Sequence, residues 1–306
     1  MAIPSQPKSD DARTATLLLV ALSFCWGLAW PAMRIGLDQL SPWTLRFFGY
    51  TIGALTLFAL IRIQGRSVAI PRRSWLHAIV ASFPNVVAFG LFGTFAQLSA
   101  STSRVIIINY SMPIWASLMA WLFFRERITP RVALALALCV GGLVVLVYPV
   151  WEASLSEPVG LFLALGCALS WAGGTIYMKW AKIEGDLLAV TFWQIVVGAV
   201  VFAIGVLVFR TPIAFEPLRL STILAVLFSG MFGTGIAYFI WFNIIGRLPT
   251  ATASLGSLAN PVVGVVGSII ILGETLSRGD MFGFALIFAA AACVLLPQRH
   301  KVPEPS

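Results

Sequence analysis

Residues 105–130 read VIIINYSMPIWASLMAWLFFRERITP, and residues 253–278 read ASLGSLANPVVGVVGSIIILGETLSR. The first holds an uncharged run, Val105–Phe124, with a proline near its middle and a glutamate just past its end. The second repeats the plan: Asn260-Pro261 stands where Met112-Pro113 stands, and Glu274 where Glu126 stands. Pro113 to Pro261 and Glu126 to Glu274 are both steps of 148 residues. An uncharged run of about 20 residues is what an α-helix needs to cross the hydrocarbon core of a bilayer. The stretch is therefore a membrane helix, and the chain contains it twice.

Working outward, runs of the same kind recur. Thr14–Met33, Val132–Trp151, Pro158–Met178, Leu187–Phe209, Leu220–Gly246, Leu248–Gly273 and Met281–Gln298 hold no Asp, Glu, Lys or Arg, and His77–Ser103 is as long. Phe47–Ile61 is shorter, but Trp43 to Ile63 crosses a bilayer if Arg46 and Arg62 snorkel to the two interfaces. Ten membrane helices are expected. Of 306 residues only 10% are charged and 59% are hydrophobic, and the mean hydropathy is +0.93. A soluble domain carries roughly 25% charged residues, and no stretch between the runs is long enough for one. The function lies within the bilayer.

The net charge of +8 would suggest nucleic acid in a soluble protein. With ten crossings both termini lie on one side, together with fourteen of the twenty basic residues; Arg34, Arg46, Arg104, Arg210, Arg219 and Arg278 fall on the other. That asymmetry is the positive-inside bias and makes both termini cytoplasmic. The basicity reports topology and not a nucleic-acid surface. Residues 1–13 and 299–306 read as disordered tails, and Cys25, Cys139, Cys167 and Cys293 as packed thiols.

The duplication extends beyond the quoted stretch. Trp26, Met33 and Arg34 match Trp171, Met178 and Lys179 at an offset of 145. Two five-helix halves follow, residues 14–151 and 158–298, joined by an external linker at 152–157. Five is odd, so the second half enters the membrane from the opposite side. The expected fold is all-α, ten transmembrane helices as two inverted repeats, the architecture associated with alternating access. Thr129-Pro130 has the form of an N-cap followed by proline, and Ser277-Arg278-Gly279-Asp280 that of a capping box. Gly49-x-x-x-Gly53 and Gly279-x-x-x-Gly283 would permit close helix contact.

Pro113 and Pro261 lie mid-span, and each deprives a carbonyl one turn earlier, of Asn109 or Ser257, of its hydrogen bond. They are candidate kinks for gating. Trp26 and Trp171 lie about a dozen residues into their runs, deeper than an interfacial belt, where Trp43, Trp75 and Trp151 are expected. Asn85, Tyr110, Tyr238 and Asn260 are the other mid-span polar groups, costly at that depth unless they face a partner or a wet cavity. Trp26, Asn85, Tyr110, Trp171, Tyr238 and Asn260 are the candidate substrate-binding residues. For each deep tryptophan the competing reading is packing against a neighbour. Glu126 and Glu274 sit at helix ends, where a structural role outweighs proton carriage.

Gln97-Leu98-Ser99-Ala100-Ser101, Tyr110-Ser111-Met112-Pro113, Glu126-Arg127-Ile128-Thr129 and the small-residue helix through Gly141-Gly142 resemble the EamA-type repeat of the drug/metabolite transporter superfamily. Asn260-Pro261, Glu274 and Gly283 carry the resemblance through the second half, and with Trp26-Gly27 it covers residues 14–297. It implies a ten-helix exporter of amino acids or similar metabolites, with a central cavity lined by the first, third, fourth, sixth, eighth and ninth helices. Within that superfamily the chain looks most like the YddG-type amino acid exporters. The small multidrug-resistance relatives carry a membrane-embedded glutamate in the first helix, and Thr14–Met33 has none.

An enzyme reading has little to rest on. His77 and His300 lie near opposite ends of the chain, and no His-Glu-x-x-His, paired-Asp or P-loop pattern occurs. The run Leu248–Gly273 has no cation to pair a phosphate, which disfavours phosphorylated substrates. The expectation is a multi-pass transporter of a bacterial inner membrane, exporting amino acids or similar small neutral or zwitterionic metabolites without metal or organic cofactor. Its partners would be the lipid bilayer and that small molecule. A broad-specificity exporter of apolar drugs is the alternative within transport, and a membrane-embedded enzyme the alternative outside it.

Overall fold

The computed structural model describes residues 9–151, 156–211, 216–244 and 250–295. Ten helical segments run in chain order: Ser9–Gly36, Pro42–Ile63, Arg72–Ser99, Thr102–Phe124, Pro130–Trp151, Ser156–Ala181, Leu187–Val208, Leu220–Asn243, Thr250–Leu272 and Arg278–Leu295. They are called the first to tenth spans. Among the described residues nine helices are long and apolar enough to cross a membrane, and the ninth span adds the shorter apolar stretch Leu258–Leu272. The first helix begins at Ser9, so residues 9–13, expected in the tail, belong to it. The tails at 1–8 and 296–306 and most of the linker, residues 152–155, lie outside the described residues.

Several starts follow the local chemistry read from sequence. Ser277 and Asp280 form a reciprocal capping box, Ser277 N–H donating to Asp280 Oδ2 at 2.9 Å and Asp280 N–H to Ser277 Oγ at 3.1 Å. Thr129 Oγ1 accepts from Val132 N–H at 3.3 Å ahead of Pro130. Ser41 caps the second span and Asp186 the seventh.

Interruptions inside the spans were not foreseen as a set. The third span carries a π-helical turn at Phe83–Ala88 and the eighth one at Met231–Ile236. Phe83 to Met231 is again a step of 148, so the same irregularity recurs at the same place in each repeat. In the third, Pro84 disrupts the backbone ladder; in the eighth, Gly233 and Gly235 make the deviation easy. The two proline spans differ from each other. The fourth breaks into Thr102–Asn109 and Met112–Phe124, whereas the ninth runs as one helix through Pro261.

Helix pairing shows the repeat. Numbering spans by order, the major contacts join five with ten, two with seven, one with nine, four with six, three with six, one with eight, two with eight and three with seven. Exchanging each span for its counterpart five places on maps this set onto itself. Small residues permit the crossings. A side chain at Gly230 would sit 2.9 Å from the Gly49 carbonyl oxygen, and one at Gly142 3.1 Å from that of Gly283.

The end of span one and the start of span two, and likewise the facing ends of three and four, five and six, seven and eight, and nine and ten, lie at one side, here the distal end; the opposite span ends define the terminal end. The largest core cluster fills the distal half. It runs from Trp30, Met33 and Leu37 through Leu45, Ala96, Val105–Ile108, Leu146, Leu161 and Cys167 to Val226, Val265 and Ile287, drawing on nine of the ten spans. A second cluster follows spans two, three and seven from Phe202 through Tyr50, Val86, Leu57 and Ile195 to Ile61 and Leu188. Smaller ones join spans one and eight around Leu22 and Ala237, spans three and seven around Ala78 and Val190, and spans four, five and ten around Ile114, Cys139 and Ala290.

Candidate substrate-binding site

Three of the six predicted residues meet. Trp26 of the first span lies edge-on to Tyr238 of the eighth, ring centroids 6.0 Å apart. Tyr238 stacks on Trp171 of the sixth at 6.5 Å, and Trp171 touches Phe89 of the third at 5.2 Å. Phe89 in turn meets Trp30 of the first span at 6.2 Å. The result is a continuous aromatic row across spans one, eight, six and three. Trp26, Trp171 and Tyr238 are each only partly buried, so the row keeps accessible ring surface.

Tyr110 and Asn260 form a second pair. Their side chains face each other across the fourth and ninth spans, at the level of the two prolines. The break at Tyr110–Ser111 is stabilised locally: Ser111 Oγ donates to the Ile108 carbonyl at 2.6 Å and accepts from Trp115 Nε1 at 2.9 Å. The Asn109 and Asn260 side-chain oxygens are buried and accept no hydrogen bond. Buried acceptors of this kind are uncommon. Pro113 sits two residues beyond the break, within the helical turn that restarts the span.

Asn85 lies apart from both groups. It sits in the π-helical turn of the third span, and its Nδ2 donates to Gln194 Oε1 at 3.0 Å and lies 3.2 Å from Met178 Sδ. Gly174 of the sixth span makes the approach possible, since any side chain there would overlap the Asn85 amide. The amide has protein partners on two neighbouring spans.

Arg46 is placed differently from expectation. Instead of snorkelling outward, its Nε donates to the Gly90 carbonyl in the third span at 3.2 Å, and its guanidinium carbon lies 5.4 Å from the Tyr50 ring centroid. Nη2 is buried and donates to nothing. A Cβ built on Gly93 would stand 3.4 Å from Nη2, 3.4 Å from Cys167 Sγ and 3.6 Å from Trp30, so these three groups converge there. The sequence held a signal. Phe47–Ile61 is too short to cross alone, which requires a charged residue within the span. The direction of its side chain is a tertiary fact. Trp43 is likewise drawn inward, between Phe202 and Phe209, with centroid separations of 5.7 and 4.8 Å. Trp75 packs on Trp193 at 4.6 Å, and the Trp151 side chain lies outside the described residues.

The helix-end glutamates have structural partners. Glu274 accepts from the backbone N–H of Thr102 at 2.6 Å and of Ser103 at 2.9 Å, and from Ser103 Oγ at 2.6 Å, capping the fourth span from the other repeat. Beside it Arg104 binds Asp280 through Nε at 2.6 Å and also pairs with Glu157. At the terminal end Glu126 pairs with Lys179 at 2.5 Å, both half exposed.

A bundle of two repeat-related halves with polar and aromatic groups converging at membrane depth defines a multi-pass transporter fold. The EamA-like transporter family matches residues 13–148 and again 158–296, and the chain belongs to that family. The uncharacterized transporter YoaV of Bacillus subtilis is 22% identical over 88% of this chain and 92% of its own length. A probable amino-acid metabolite efflux pump of Escherichia coli is 23% identical over 90% and 93%, and one of Salmonella typhimurium 24% identical over 91% and 92%. One crystal structure shares the fold with a TM-score of 0.64 and 24% identity, over 92% of this chain and 96% of that one.

Proposed function

We propose that the protein exports amino acids or similar small neutral or zwitterionic metabolites by alternating access, from a bacterial inner membrane with both termini cytoplasmic. The observation that carries the reading is the aromatic row of Trp26, Tyr238, Trp171 and Phe89, which joins the first, eighth, sixth and third spans at membrane depth and keeps accessible ring surface. An inverted repeat is the architecture that alternating access uses. The aromatic row presents ring faces to an apolar side chain or an ammonium group. The unpartnered Asn109 and Asn260 oxygens supply acceptors for that ammonium. The relatives named as probable amino-acid metabolite efflux pumps agree with this chemistry.

The test is counterflow. Proteoliposomes loaded with unlabelled amino acids, one at a time, should accumulate the labelled form of at least one above protein-free vesicles. No accumulation across all twenty would sink the amino-acid reading.

A further inference from the structure

We propose that Arg46 is the carboxylate-binding residue of this transporter, so that its substrates carry a free carboxylate and are held with that group at the distal end of the aromatic row. The proposal rests on the transport reading above and narrows its substrate class.

A guanidinium within a membrane bundle is costly unless paired. Arg104 shows how the same fold treats a half-buried arginine, giving it two carboxylates, Asp280 and Glu157. Arg46 has none among the described residues. Its protein partners are one carbonyl and one ring face, both neutral, and Nη2 has nothing to donate to. A buried donor left without an acceptor carries its full desolvation cost. An occupant with an acceptor at that point would recover it. Arginine donates in a fixed fork that matches a carboxylate, so a single guanidinium suits a carboxylate monoanion, whereas a phosphate dianion calls for more than one cation.

The surroundings say what else the occupant has. Nη2 meets Trp30 and Cys167 at Gly93, and Trp30 is the first ring of the row that continues through Phe89, Trp171 and Tyr238 to Trp26. Arg46 also lies within electrostatic range of the Tyr238 hydroxyl. A molecule with a carboxylate on Arg46 therefore lays its remaining atoms along aromatic faces. An α-amino acid meets this description; an amine or a neutral apolar drug lacks the anion.

The experiment titrates purified protein with L-leucine, L-threonine, L-phenylalanine and their three carboxamides, following intrinsic tryptophan fluorescence. The wild type, Arg46→Gln and Arg46→Lys are compared. The carboxamide keeps size, side chain and ammonium and removes only the negative charge. Wild type should bind at least one acid about 10-fold or more tighter than its amide, the scale of one charge-assisted pair. Arg46→Gln should abolish that preference while leaving amide affinity within about threefold, and Arg46→Lys should retain part of it because charge survives without the fork. Should Arg46→Gln fail to give monodisperse protein, the wild-type comparison and the lysine variant still decide. Equal binding of acid and amide by wild type, or an undiminished preference in Arg46→Gln or in Arg46→Lys, overturns the role of Arg46 and leaves the amino-acid reading standing. Absence of binding by all six compounds overturns both.

Discussion

Glu274 and Glu126 occupy the same place in the two repeats and have different partners. Glu274 closes three hydrogen bonds onto the start of the fourth span; Glu126 holds the exposed ammonium of Lys179. The fourth and ninth spans differ in parallel, one broken before its proline and the other continuous through it. Other repeat-related contacts are alike at the two ends. Gln39 ties the seven–eight loop through the Pro217 carbonyl and the Arg219 N–H, and Asp186 ties the two–three loop through Arg66. Among the described residues, the clearest departures from the repeat are the break in the fourth span and the partners of the two glutamates.

The largest expected effect that would break this comparison is on stability. Arg104→Ala removes a cation from two carboxylates, of which Asp280 is 6% exposed, and should lower unfolding stability by about 3 kcal/mol in a detergent melt. Lys179→Ala at the terminal end removes an exposed pair and should change it by less than about 1 kcal/mol. Comparable losses at both ends would mean that the Arg104 cluster ties its end no more tightly than the Lys179–Glu126 pair ties the other.

A smaller effect concerns the aromatic row. Trp26→Ala and Trp171→Ala should each slow counterflow by about 10-fold, the loss of one aromatic contact, edge-on for Trp26 and stacked for Trp171, with melting curves close to wild type. Normal transport in both would return these residues to plain packing. The smallest effect is that of a pH gradient. Glu126 and Glu274 lie at helix ends with structural partners, so an imposed gradient should alter initial counterflow by less than about twofold. Strict dependence on it, abolished by Glu126→Gln or Glu274→Gln, would make one of these carboxylates the proton carrier.

How far the site could be read in advance differs residue by residue. Trp26 and Trp171 were legible because depth and repeat equivalence are countable along a chain, and Tyr238 joins them in one row. Asn85 was legible only as a deep polar group; that Gln194 and Met178 take its amide depends on how the third, sixth and seventh spans pack. Arg46 was legible as a charge and misplaced as a snorkelling one. Its side chain is long enough to reach either an interface or the bundle; the Gly90 carbonyl draws it inward, and the lack of a side chain at Gly93 leaves room for the guanidinium beside Trp30 and Cys167.

The sequence by itself determined the ten spans, the twofold repeat, the capping box at Ser277–Asp280 and the inversion of the second half. These follow from uncharged run length, an odd helix number and hydrogen bonds made within four residues. Only the tertiary structure decided that the fourth span breaks while the ninth does not, and that Arg46 faces inward. The two halves have the same plan, so local pattern gives both the same tendencies. What separates them is contact between residues more than a hundred positions apart, such as Glu274 with Thr102, which no local pattern specifies.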